Sequence, residues 1–159
     1  MQQESSADCL HWEDVTVGET VAFGRKHVTK EEIVAFAGAF DPQPLHLDER
    51  AAKESMVGRL CASGWHSCAM LMRMLADNVL AKAAGLGSPG LEEVRWLKPV
   101  FPGDELTARY TCTSKRALKS RPGVGLCQML FEVLNQNGEL VMTWDAAQLL
   151  RMRGPEAPQ

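Results

Sequence analysis

The chain predicts an α+β fold in which one curved antiparallel sheet wraps around a long central helix. Three observations lead there. A strongly apolar helical pattern occupies about residues 65–83, where Met70, Leu71, Met74, Leu75 and Leu80 give it a broad apolar surface. Behind it the hydrophobic period changes, and three long strand-like runs follow at 105–117, 124–134 and 140–152. The connections between those runs carry turn chemistry: Arg121-Pro122-Gly123, then Asn135-Gln136-Asn137-Gly138 with its Asn-Gly hairpin dipeptide. A helix apolar over so much of its surface has to be wrapped by another element, and a curved sheet does this.

Taken in order, residues 1–10 and the tail 154–159, with its two prolines, read as frayed ends. Residues 15–19 form a turn leading to a strand near 20–28. Thr29 with Glu32 three residues later is a capping box, opening a helix through about residue 39. On that helix Ile33, Phe36, Ala37 and Phe40 share a face. The run Asp41-Pro42-Gln43-Pro44-Leu45-His46-Leu47-Asp48 follows. Proline fixes φ and disfavours helix in the residue before it, so a stiff, extended bend is expected. Asp48 is placed to cap a short helix over 49–54. Ser63-Gly64 precedes the long helix, where Ala62, Ala69, Ala76 and Ala81 add small side chains that allow close approach. A glycine-rich break at 85–90 leads to a strand over 91–99 and a turn at 100–104. In the run 124–134, Cys127, Met129, Phe131 and Val133 alternate with Gln128 and Glu132, as a half-buried strand requires. Strand, helices, long helix and four antiparallel strands make up the hot-dog architecture, here a single domain with its core at about 15–152. Sheet edges are commonly covered by pairing two copies, so a homodimer or higher assembly is expected.

Composition narrows the function classes. A chain of 159 residues with 45% hydrophobic and 23% charged residues suits one soluble domain with a full core. A net charge of −3 without a basic run leaves no electrostatic footprint for nucleic acid. The small groups Lys115-Arg116 and Lys119-Ser120-Arg121 read as solvated hairpin caps. No apolar run reaches the roughly 18 to 20 residues of a membrane helix, and the polar start does not resemble a signal peptide. Five cysteines (Cys9, Cys61, Cys68, Cys112 and Cys127) form no C-x-x-C pair and show no metal spacing, and their odd number fits a reducing compartment. The expectation is a cytoplasmic protein without a metal, membrane or nucleic-acid partner.

The chemistry concentrates on the proline bend. Asp41 and His46 place a carboxylate and an imidazole five residues apart on a rigid segment, which is what proton transfer asks for. Gly64, at the expected helix start, offers an amide with no intrahelical partner and no side chain in the way. Structural roles compete with each of these readings. Asp41 could cap the following turn, His46 could be a satisfied structural histidine, and Gly64 could permit tight packing. Asp48 reads as a helix cap, His66 as a surface or packing residue, and Trp65 and Trp96 as core or pocket wall. His11 and His27 have no partner that the sequence names.

Four blocks resemble one family. The run Asp41 to Asp48 resembles the D-x-N-P-x-H-x-D signature of MaoC-like dehydratases and R-specific enoyl-CoA hydratases. The run from Val94 through Lys98-Pro99 to Asp104 is similar to that family's strand and turn after the central helix. Ala62-Ser63-Gly64-Trp65 falls where these proteins usually carry a His-Gly step, and Asn135-Gln136-Asn137-Gly138-Glu139 resembles their late hairpin. The resemblance implies the hot-dog fold and the reversible hydration of a trans-2-enoyl thioester to an (R)-3-hydroxyacyl thioester, a hydro-lyase reaction. It implies Asp41 and His46 as catalytic residues and the Gly64 amide as the group that polarises the thioester carbonyl. Ser63, Gln43 and Trp65 are then expected beside the substrate. The carrier is expected to be coenzyme A, with acyl-carrier protein as the alternative, and no cofactor or metal is implied.

Two positions depart from the pattern. Gln43 replaces the signature asparagine and is one methylene longer, while Ser63 replaces the histidine with a hydroxyl that cannot carry charge. Which of Asp41 and His46 is the base stays open at this level. Two other functions also compete: a hot-dog thioesterase, which needs the carboxylate but not the histidine, and a non-catalytic acyl-CoA-binding module.

Overall fold

A computed structural model describes residues 9–154. The expected frayed ends lie outside these residues except for Cys9, Leu10 and Gly154. Leu10 is not frayed: it bridges to Ala83, its amide donating to the Lys82 carbonyl at 2.7 Å and its carbonyl accepting from Ala84 at 2.9 Å.

The elements are β1 (Thr20–His27), α1 (Lys30–Phe40), α2 (Pro44–Leu47), α3 (Glu49–Lys53), α4 (Gly64–Asn78), β2 (Gly85–Gly87), β3 (Leu91–Trp96), β4 (Glu105–Ala117), β5 (Val124–Leu134) and β6 (Leu140–Arg151). All six strands form one antiparallel sheet in the order β1-β4-β5-β6, and β6 pairs on its other side with β3 and, near its end, with β2. Met70, Leu71, Met74 and Leu75 of α4 are buried in one cluster with Phe23, Leu106, Cys112, Met129, Phe131, Val133 and Met142 of the sheet. Burying each such side chain contributes about 1.5–3 kcal/mol, so the helix–sheet contact is the main source of stability. This is the hot-dog arrangement that the sequence predicts. On β5 the alternation holds, with Cys127, Met129, Phe131 and Val133 buried.

The sheet approaches the helix closely at Gly24. The β1–β4 register shifts between Phe23 and Arg25, Gly24 has φ +69°, and a Cβ there would lie 2.8 Å from that of Met74. Only glycine meets both demands at this bulge.

Several expectations are corrected. The central helix ends at Asn78, short of residue 83: the Asn78 side chain donates to the Met74 carbonyl at 2.8 Å, and Val79, whose amide still bonds to the Leu75 carbonyl, is the C-cap with φ widened to −119°. A 3-10 turn, Leu80–Lys82, follows. The glycine-rich break holds a strand, β2, whose Gly85 and Gly87 pair with Leu150 and Leu149, so five strands follow the helix and not four. Three residues with two glycines present no alternation to read. Phe40 is 76% exposed, because Asp41 turns the chain away just where the apolar face of α1 would have continued. Lys115 is no solvated hairpin cap either. Its ammonium donates to the carbonyls of Trp12 at 3.1 Å and Val15 at 2.6 Å and lies over the Trp12 ring, anchoring the N-terminal segment to β4.

Candidate active site

The site is assembled where α1 ends and α4 begins. Thr29 and Glu32 form the expected capping box of α1. At the other end the Asp41 amide still bonds to the Ala37 carbonyl at 2.9 Å, but its φ of −149° and ψ of 68° lead out of the helix. Pro42 prevents continuation. The bend is then extended only as far as Gln43 (φ −80°, ψ 139°). From there it departs from expectation: Pro44–Leu47 close one helical turn, α2, with Pro44 at the first position, where a missing N–H is no loss. That turn carries His46 inward to 7% exposure. Asp48 accepts the Arg50 amide at 3.0 Å and caps α3, as read from the sequence.

Both carboxylate oxygens of Asp41 are engaged. Oδ2 accepts from the Ser63 hydroxyl and Oδ1 from the Gln43 amide, each at 2.6 Å. Ser63 is fully buried and N-caps α4, its Oγ accepting the Trp65 amide at 3.3 Å. The Ser63 hydrogen bond is the largest influence holding the Asp41 carboxyl below the usual carboxylate range. Gln43 and the charge of His46 add to it, and partial desolvation opposes it. Gln43, although longer than the signature asparagine, thus still supplies a donor.

His46 has its Nδ1 2.7 Å from the Cys61 carbonyl. A carbonyl only accepts, so Nδ1 carries a hydrogen, and in the uncharged form of the ring the lone pair lies at Nε2. Nε2 lies 3.5 Å from Asp41 Oδ2. Gly64 opens α4, and its amide has no acceptor within the helix. The Trp96 ring crosses this glycine: its Nε1 donates to the Gly64 carbonyl at 2.9 Å, and a Cβ at 64 would stand 2.5 Å from the ring. Packing therefore requires a glycine here regardless of what the amide binds.

His46 and Gly64 line one open cavity of about 250 Å³, with Leu45, Val57, Cys61, Ala62, Ser67, Trp96, Leu97, Lys98, Pro99 and Val100. Asp41 adjoins it through His46, and Ser63 and Gln43 sit on Asp41. Trp65 does not line it. Its ring is 59% exposed and meets Trp96 edge-on at 5.3 Å, so only its backbone amide takes part in the site. Trp96 lines the cavity, as the pocket-wall reading expects, and two participants went unread: the Cys61 carbonyl that fixes the His46 tautomer, and Ser67. A backbone carbonyl leaves no mark in a sequence. Ser67 does leave one, because it stands three residues after Gly64 on the same helical face.

The remaining histidines have structural surroundings. His66 is buried, stacks on Phe36 at 4.8 Å between α4 and α1, and has its pKa lowered mainly by burial. His11 meets the Cys9 carbonyl and His27 the Glu105 carboxylate. Among the described residues, no three His, Cys, Asp or Glu side chains cluster as metal ligands would.

Comparison with known proteins places the fold. The sequence description of the MaoC like domain matches residues 14–126. The MaoC-like dehydratase of Rhodospirillum rubrum superposes with a TM-score of 0.86 at 41% identity, over 91% of this chain and 99% of that one. The (R)-hydratase from A. caviae involved in PHA biosynthesis gives a TM-score of 0.68 at 26% identity, over 86% of this chain and 97% of that one. A mesaconyl-CoA hydratase of Cereibacter sphaeroides is 39% identical over 69 residues, 43% of this chain but only 20% of that protein. The chain therefore spans about a fifth of that relative's length, and it matches 33% of the Protein MaoC of Klebsiella aerogenes at 28% identity. With the domain match covering most of the chain and the whole sheet and helix superposing, the chain belongs to the MaoC-like domain family.

Proposed function

We propose that this chain catalyses the reversible hydration of a trans-2-enoyl thioester to a 3-hydroxyacyl thioester, carried on coenzyme A. The observation that supports this best is the pairing of His46 Nε2 with Asp41 across 3.5 Å, at a cavity shared with the Gly64 amide. A lone pair and a carboxylate facing each other call for a proton donor between them. A water donating one hydrogen to each satisfies both, and its own lone pair is then free to attack.

In the hydration direction that water adds to the third carbon of the acyl chain. His46 Nε2 takes its proton, and the double-bond electrons move through the second carbon onto the thioester oxygen. The Gly64 amide, at the positive end of α4, donates to that oxygen as its charge grows. The imidazolium then returns the proton to the second carbon, and dehydration runs the same steps backwards. His46 is the base of hydration in this scheme. Asp41 stays ionised, orients the water and offsets the imidazolium charge, a role that its lowered pKa suits. The (R) configuration of the product is part of the proposal and follows from similarity to the (R)-hydratase. The mesaconyl-CoA hydratase relative extends the acyl groups worth testing to short, branched and dicarboxylic ones.

The test follows loss of enoyl-thioester absorbance with crotonyl-CoA and a longer enoyl-CoA, with free thiol monitored in parallel. Asp41→Asn and His46→Ala are each expected to lower hydration by ~10²–10⁴-fold without releasing thiol. Thiol release that persists in His46→Ala would assign the chain to the thioesterases. Tight binding of enoyl-CoA without turnover would make it a binding module.

A further inference from the structure

We propose that the Ser67 hydroxyl is a second hydrogen-bond donor to the substrate's thioester oxygen, beside the Gly64 amide; this rests on the hydratase reading above. Ser67 is only 5% exposed and lines the cavity that holds His46 and Gly64. Its amide is used within the helix, donating to the Ser63 carbonyl at 3.1 Å, while its hydroxyl stays accessible: among the described residues the buried side-chain atoms without a partner are His66 Nδ1 and Trp144 Nε1, not Ser67 Oγ. A hydroxyl on so buried a residue is expected to find a partner, and the cavity is where one would come from. The usual refuge of a mid-helix serine is the carbonyl four residues back, and Ser67 does not take it. The hydroxyl faces the cavity instead.

Helix geometry gives that hydroxyl its target. Gly64 and Ser67 are about one turn apart, ~4.5 Å along the axis, and share a face. Side chains on a helix lean towards its N-terminus, so Ser67 Oγ is carried back over the turn that Gly64 begins. Gly64 has no side chain to stand between them. The other polar side chains on the cavity have different tasks: His46 is tied to Cys61, and Lys98 pairs with Glu139 at 2.7 Å. The Gly64 amide and the Ser67 hydroxyl are then two donors aimed at one point, the arrangement that stabilises an oxyanion more than a ground-state carbonyl.

The experiment compares Ser67→Ala, Ser67→Cys and Ser67→Thr with the wild type. Ala removes the donor, Cys keeps the size with a weak one, and Thr restores the hydroxyl. Expected is a kcat lower by ~10²-fold in Ala and Cys with KM nearly unchanged, and recovery in Thr. A second reading needs no turnover. A 2,4-dienoyl-CoA bound to Asp41→Asn protein should show a red-shifted absorbance from carbonyl polarisation, and adding Ser67→Ala should reduce that shift. Unchanged kcat together with an unchanged shift overturns the proposal, and so does a rise in KM alone. A Ser67-dependent shift in a protein that hydrates nothing would sink the hydratase reading and leave the donor standing. Failure to bind any thioester overturns both.

Discussion

The Ser63 hydroxyl accepts the Trp65 amide at the start of α4 and donates to the Asp41 carboxylate at the end of α1. One buried oxygen thus caps a helix and sets the charge state of the neighbouring carboxyl. The histidine usual at this position would bring a titratable charge, whereas serine does both tasks while remaining neutral. Ser63→Ala removes the largest influence that lowers the Asp41 pKa, so that pKa rises towards its ordinary value. In the proposed scheme the ionised carboxylate is the working form, so the acid limb of kcat/KM is expected to move to higher pH. The stability that Asp41 contributes, present above its unfolded pKa and lost as pH falls through its depressed folded value, shrinks in the same variant. A pH–rate profile of Ser63→Ala beside the wild type checks this, and an acid limb that does not move refutes it. Loss of the cap itself is expected to lower stability by about 1 kcal/mol.

Between elements, the contact of Trp96 with Gly64 fixes β3 against the start of α4. Gly64→Ala drives a methyl into the ring, and overpacking of this kind costs about 1–3 kcal/mol. Adding Trp96→Ala should recover much of that loss in urea denaturation. If the double variant is as unstable as the sum of the two singles, the ring contact is not the reason for the glycine. The same scale shows what the sequence could reveal. The capping box of α1, the Asp48 cap and the full extents of β4 and β5 were legible because local chemistry decides them. The end of α4, the single turn at Pro44 and the strand β2 were not, because an amide back-bond, a permitted proline position and pairing with β6 decide them. The site divides in the same way. Spacing along the chain brought out Asp41 and His46, and the family resemblance with the expected helix start brought out Gly64, whereas the Cys61 carbonyl and the choice of Trp96 over Trp65 as cavity wall depend on contacts across the fold.

Over the whole molecule, both ends of the sheet carry an open edge among the described residues: β1 pairs with β4 alone, and the other end is flanked by exposed apolar side chains. At that end, among the described residues, β3 pairs with β6 alone and leaves its other edge open. Leu91, Trp96 and Leu97 along this edge are each nearly half exposed, and Phe40 and Trp65 are exposed more fully still. An open strand edge flanked by apolar side chains is a liability unless something covers it, and a second copy supplies an identical edge related by a two-fold axis. We therefore expect a homodimer joined along β3. Leu91→Glu tests it without touching the cavity lining. Leu91 is nearly half exposed at the edge of the single chain, so folding stability should change by no more than about 1 kcal/mol. Full burial of a leucine contributes about 1.5–3 kcal/mol and under half of Leu91 is left to bury, so the dimer dissociation constant should rise ~3–10-fold per copy. Sedimentation velocity over a dilution series reads this directly. Because Trp96 and Leu97 belong to both the edge and the cavity wall, kcat/KM of the variant should fall on dilution as monomer appears. A wild type that sediments as a monomer at every concentration, with full activity, would remove the second copy from the description of the site.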